Sequence, residues 1–151
     1  MLDTNTLLRG LVARNSAAAR VRRAAEARTF ITLLSKPVLD EYMAVLSDAE
    51  LGKKFPDITP QVVEVALRRL RFVGDYVRTP RATFDYRRDP GDQKFIELAI
   101  ELRATHILSF DKDLLSLPNS RGDAGRRFCQ RLPGVRVIDA VTFSREQGLH
   151  G

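Results

Sequence analysis

Six acidic residues stand where a folded chain can use their charge. Asp3 follows two apolar residues in the opening MLDTNTLLRG, Glu41 lies in SKPVLDEYMAVL, Asp89 and Asp92 lie in RRDPGDQKFIELA, and Asp111 and Asp113 lie in ILSFDKDLL. Carboxylates gathered in one cleft repel each other unless a divalent cation sits among them, and Mg2+ and Mn2+ take oxygen ligands. Such a cation acidifies bound water and polarises a phosphate. Metal-assisted phosphodiester hydrolysis is therefore the chemistry that fits acids inside an otherwise basic protein.

Each acid also has a plainer explanation. Asp89 before Pro90 reads as a helix N-cap with proline at the first helical position, Asp92 suits the positive end of a helix dipole, and Asp111 suits the cap of KDLL. Asp3 and Glu41 are harder to explain that way. The first closes a short apolar run; the second borders the face made by Val38, Leu39, Tyr42, Val45 and Leu46, from which Asp40 points away. An unpaired buried charge is costly, so a carboxylate kept at such a place needs a partner.

The elements that must position these acids follow from apolar periodicity. SAAARVRRAAEAR from Ser16 predicts a helix capped by Ser16, TFITLL (29–34) a buried strand, and SKPVLDEYMAVLSD from Ser35 a second helix. TPQVVEVALRRLRFVG predicts a third, capped by Thr59, with Pro60 leading, a stripe of Val63, Ala66, Leu67, Leu70 and Val73, and Gly74 as its end. Phe95, Leu98, Ala99 and Leu102 mark a fourth; THILSF (105–110) and GVRVID (134–139) are strands, and AVTFSREQ is a short closing helix. Helices alternating with short apolar strands imply an α/β fold with a parallel sheet, since parallel strands need crossovers. In such folds ligands sit beyond the carboxyl ends of the strands, where Asp3 and Asp111 fall.

Composition bounds the rest. The chain has 151 residues, 44% hydrophobic and 29% charged, which fits one globular domain over 1–151, with 144–151 expected as a flexible tail. No repeat or long linker divides it. A single cysteine, Cys129, allows no internal disulfide, and the absence of an apolar run long enough for a membrane span or signal peptide makes the cytoplasm the expected compartment. Cys129 reads as a small core hydrophobe, His106 as a core histidine and His150 as part of the tail. The net charge of +6 comes from 25 bases, 20 of them arginine, against 19 acids. Arginine's planar fork matches phosphate, although genomic base composition yields the same bias. The arginines at 20, 22, 23, 68, 69 and 71 read as solvated helix faces. Arg78, Arg81, Arg87 and Arg88, just before the third acidic motif, read as contacts to a phosphate backbone.

LDTN (2–5), the glutamate of SKPVLDEYMAVL, DPGDQKFIELA and ILSFDKDLL occur in the order and context of the PIN-domain family, and the whole chain resembles its branch of toxin components of toxin–antitoxin pairs. That resemblance implies a VapC-like, Mg2+- or Mn2+-dependent ribonuclease on a PIN-like fold, with a central parallel sheet of four to five short strands flanked by helices. It implies Asp3, Glu41, Asp92 and Asp111 as metal-binding and catalytic acids, with Asp89 and Asp113 accessory. It also implies Asn5 as the residue steadying the first acid, and Ser109 at a position more often threonine. RNA, a cognate antitoxin and a second copy of the chain are the implied partners. Two departures stand out: only Met1 and Leu2 precede Asp3, where the family has several apolar residues, and Phe110 stands where glycine is common.

Two other readings compete. A haloacid-dehalogenase-like phosphatase also places an aspartate after its first strand, but needs a second one two residues on, where this chain has Asn5. A non-catalytic module that has kept the fold and basic surface would bind nucleic acid or protein without cutting.

Overall fold

Side-chain caps set the helix starts of this chain, and the structure, a computed structural model, describes residues 1–150. Helix α1 (Thr4–Val12) is capped by Asp3, α2 (Ala17–Glu26) by Ser16, α3 (Lys36–Leu46) by Ser35, α4 (Ala49–Lys54) by Asp48 and α5 (Pro60–Val73) by Thr59. Asp111 caps α7 (Lys112–Ser116), and Asp139 caps α9 (Ala140–Glu146). In each case a side-chain oxygen accepts one of the orphan N–H groups of the first turn. Two helices begin without such a bond: α6 (Gln93–Glu101), which follows Asp92, and α8 (Asp123–Arg131), which follows Gly122.

The strands are three residues each. β1 (Leu33–Ser35) pairs in parallel with β2 (Asp75–Val77), and β3 (His106–Leu108) in parallel with β4 (Arg136–Ile138). The first residues add to the free edge of β3: Leu2 bridges Leu108 in parallel, the Asp3 N–H donates to the Leu108 carbonyl at 2.9 Å, and the Leu108 N–H to that of Met1 at 2.9 Å. The α/β class with parallel strands stands, but the expected single sheet of four to five strands is replaced by two small sheets.

Part of the reason is local. The strand expected from Thr29 starts only at Leu33, because α2 closes with Arg28 in the left-handed region at φ 58° and the Thr29 N–H reaching back to the Ala24 carbonyl. This Schellman closure consumes the residues that would have lengthened β1. Arg103, at φ 52°, closes α6 in the same way before β3. β2 was not expected from the sequence. It is drawn against β1 by Gly74, where a Cβ would stand 2.6 Å from the Thr32 carbonyl oxygen.

The main core gathers Leu7, Leu34, Tyr42, Leu70, Phe95, Ile107 and Phe128; a smaller one holds Leu2, Val21, Leu108 and Phe143. The expected stripe of α5 is buried at Val63, Ala66, Leu67 and Leu70. Cys129 is a correction: it lies exposed on α8, with Sγ against the Pro118 carbonyl, because the buried face of that helix is taken by Gly125 and Phe128. His106 is half-buried, its ring edge-on to Phe143. The segment read as a tail is helical as far as Glu146, and buried Ser144 donates to the Leu149 carbonyl. Among the described residues no helix is long and apolar enough to cross a membrane.

Candidate active site

Asp3 leaves the edge of β3 as the cap of α1 and is 4% exposed. One carboxylate oxygen accepts the Thr6 N–H at 2.7 Å and the other accepts the Ser109 hydroxyl. The same Ser109 oxygen accepts the Asp111 N–H at 2.9 Å, so a fully buried hydroxyl fixes the spacing of two acids across the end of β3. Burial pushes the Asp3 carboxyl up, the Ser109 and Thr6 bonds hold it back, and Asp111 adds to the rise. Asn5, expected to steady this acid, is exposed, and the steadying comes from Thr6 and Ser109.

Asp111 spends Oδ1 on its own helix, accepting from Asp113 N at 2.8 Å and Leu114 N at 3.1 Å. Asp113 is ion-paired with Arg88. Asp89 turns Oδ1 back on the Gly91 N–H at 2.9 Å, an Asx turn rather than the cap of α6.

Asp92 is the exception among the acids at helix starts. It occupies the cap position of α6 but sits in the helical region, at φ −84° and ψ −11°, and makes no side-chain capping bond. Its Oδ2 is buried with no partner. Burial first, then repulsion from Asp89, Asp111, Asp3 and Glu41, raises this carboxyl to about 7. The structure thus brings into one field acids that lie far apart in sequence, from Asp3 at the start of the chain to Asp111.

Glu41 completes the group from α3. Its half-buried carboxylate accepts Lys94 Nζ at 3.1 Å, and the same ammonium donates to the Gly91 carbonyl at 2.9 Å. Next to it, buried Tyr42 donates its hydroxyl to the Leu2 carbonyl, tying α3 to the segment that carries Asp3. Lys94 and the bond from Tyr42 to Leu2 escaped the sequence reading, since pairings across 53 and 40 residues leave no mark in local spacing. Thr6 was missed with the cap: Asp3, which the sequence reading set apart from the capping acids, caps α1 through the Thr6 N–H, and Thr6 stands at the third position after it.

The donor set is carboxylate oxygen throughout, the chemistry of a hard divalent cation, and the orphaned Oδ2 of Asp92 is a lone pair in want of one. Among the described residues no three acids, histidines or cysteines stand ready around one ion position. Each acid but Asp92 has an oxygen turned to a protein donor. A groove of about 610 Å³, lined by Leu11, Val62 and Val65 and rimmed by Arg14, Arg23 and Lys54, lies between α2 and α5 and holds none of these acids.

Of the arginines, Arg88 lies on the site through Asp113 and Arg87 is paired with Asp85 at 3.0 Å. Arg78 ends the β1–β2 pairing, its carbonyl accepting the Lys36 N–H. Arg81 is held by the Glu101 carboxylate, at the far end of α6 from Asp92.

No curated protein and no solved structure matches the chain. A PIN-domain family model matches residues 1–113, a span that takes in all six acids, and the chain therefore belongs to the PIN-domain family, whose members are generally metal-dependent nucleases.

Proposed function

We propose that the chain is a Mg2+- or Mn2+-dependent endoribonuclease, the VapC-like toxin of a toxin–antitoxin pair, acting in the cytoplasm. The carrying observation is Asp92: a helix-start carboxylate that does not cap its helix, has a buried oxygen with no hydrogen-bond partner and is set among four other acids. Asp3, Asp92, Asp111 and Glu41 would hold the ion, which supplies Lewis acidity and neutralises charge at the scissile phosphate. Ser109 keeps Asp3 and Asp111 at a fixed separation. Asp89 and Asp113 brace the turns that present Asp92 and Asp111. Lys94 compensates Glu41, and Arg78, Arg81, Arg87 and Arg88 offer donors to the RNA backbone. A toxin of this kind needs a segment that covers the acids, so a cognate antitoxin is the expected protein partner, with a homodimer as the expected assembly.

Cleavage assays test this reading. RNA is cut in Mn2+ or Mg2+ to fragments with 5′-phosphate and 3′-hydroxyl ends, cutting stops in EDTA, and Asp92→Asn loses at least about a hundredfold in rate. Wild-type-like cleavage by that variant contradicts the assignment.

The non-catalytic reading draws on the Lys94–Glu41 ion pair and on the lack of a ready-made ion position. RNA binding without cutting in either metal supports it. For a phosphatase, the position two residues after Asp3 is exposed Asn5, which supplies no acid.

A further inference from the structure

Three side chains on one face of α6 hold an extended segment alongside the helix. Glu101 accepts the N–H groups of Arg81 and Ala82 at 3.0 and 2.9 Å, Glu97 that of Phe84 at 3.2 Å, and Gln93 that of Tyr86 at 3.4 Å. The steps of four match one helical stripe, so residues 81–86 run from the far end of α6 back to its start, over about 12 Å. The segment alternates: Phe84 and Tyr86 are buried, while Thr83, Asp85 and Arg87 are exposed. It finishes at Arg88, on Asp113.

The other side of this segment is held by α8, all of which lies outside the family match over 1–113. Phe84 packs edge-on against Phe128 of that helix at 6.4 Å. Arg127 donates to the Asp85 carbonyl at 2.9 Å and Arg131 to the Thr83 carbonyl at 3.2 Å. A carbonyl aims a guanidinium without cancelling its charge, and both arginines remain exposed. Of the six arginines over 83–88 and 121–131, Arg87, Arg88 and Arg126 are ion-paired with Asp85, Asp113 and Asp123, which leaves Arg121, Arg127 and Arg131 without an ion pair among the described residues.

We infer that the extended segment and α8 form a track for the RNA backbone leading away from the acids, with Arg127 and Arg131 as phosphate contacts. The inference rests on the ribonuclease reading and adds the direction in which the substrate runs. A single-stranded polyanion fits a narrow strip that starts at the acids and carries two guanidinium groups, those of Arg127 and Arg131, aimed by carbonyls and without an acidic partner among the described residues. It also places Arg88 at the near end of the strip and Arg81 at the far end.

Binding of an unstructured RNA of about twenty nucleotides, measured in metal-free buffer over a KCl series in the Asp92→Asn background, tests this. Arg127→Ala with Arg131→Ala should reduce the slope of log affinity against log salt by about 1.4, or about 0.7 for each single-strand phosphate that is no longer neutralised. Arg68→Ala with Arg69→Ala, on α5, should leave the slope unchanged. Arg127→Lys with Arg131→Lys keeps the charge without the fork and should restore most of the slope, which separates the removal of charge from a loosened segment. An unaltered slope in the alanine pair, or an equal fall in the α5 pair or the lysine pair, overturns the track while leaving the ribonuclease reading intact. Failure of the background protein to bind RNA at any salt overturns both.

Discussion

Glu26 and Asp92 are both acids withdrawn from solvent in an arginine-rich chain, and the structure treats them in opposite ways. Glu26, with a side chain 14% exposed, is ion-paired with Arg22 and lies 3.7 Å from Arg69. Asp92 has a buried oxygen with no partner and a carboxyl raised to about 7, first by burial and then by its acidic neighbours. With 20 arginines in the chain, a lack of bases does not explain the difference. Between α2 and α5 the acid joins two helices, and pairing stabilises the join. At the strand ends the acids gather, Lys94 is spent on Glu41 and Arg88 on Asp113, and the repulsion left over is what a divalent cation relieves.

Opposite signs of stability change sharpen that comparison. Glu26→Gln strands two arginines and should cost about 2 kcal/mol, or roughly 4–8 °C in Tm by calorimetry. Asp92→Asn removes a repelled charge and should raise the metal-free Tm at neutral pH by roughly 2–4 °C, since solvent screens much of the repulsion. A fall in Tm for Asp92→Asn would place the two acids in one class.

The pH dependence follows from the same carboxyl. Its folded value of about 7 lies above its unfolded value near 3.8, so the unfolded chain releases its proton first, and stability is lost as pH rises from about 4 to about 7. His106, lowered by burial, favours the folded chain at higher pH and opposes this trend. The informative quantity is thus the difference between wild type and Asp92→Asn. The variant's Tm advantage in EDTA should vanish near pH 4 and reach its full size by about pH 7; an advantage constant across that range contradicts the assignment.

Ser109→Ala probes the link between Asp3 and Asp111. Losing one donor and one acceptor from a buried hydroxyl should cost about 1–2 kcal/mol, and raise the Asp3 carboxyl further. The cost should therefore grow as pH rises from acid to neutral, whereas Ser109→Thr keeps the hydroxyl and should stay near wild type. The smallest effect belongs to Asp40→Asn. That exposed acid, paired only with Lys36 beside it on α3, should change stability by less than about 0.5 kcal/mol and leave cleavage untouched.

How much of this was legible follows from the range of each interaction. Caps at Ser16, Ser35 and Thr59 and the stripes of α5 and α6 are local, and the sequence shows them directly. The capping reading of Asp111 holds alongside its place at the acids, whereas Asp89, read as a cap, forms an Asx turn, and Asp92, read as suiting the helix dipole, makes no capping bond. The division into two sheets and the appearance of β2 depend on helix closures at Arg28 and Arg103 and on the close approach at Gly74, which periodicity does not encode. Lys94 on Glu41, Tyr42 on Leu2 and the α6 ladder under residues 81–86 join residues that local spacing does not pair. They become visible only when the chain is folded.

The central claim is that the unpaired acids at the strand ends are a cation site. Calorimetric titration of the wild-type protein and Asp92→Asn with Mn2+ at neutral pH tests it most directly. The account predicts saturable binding by wild type, with proton release as the raised carboxyl ionises, and at least about tenfold weaker binding by the variant. Equal affinity in the two proteins, or no binding by wild type, would contradict it.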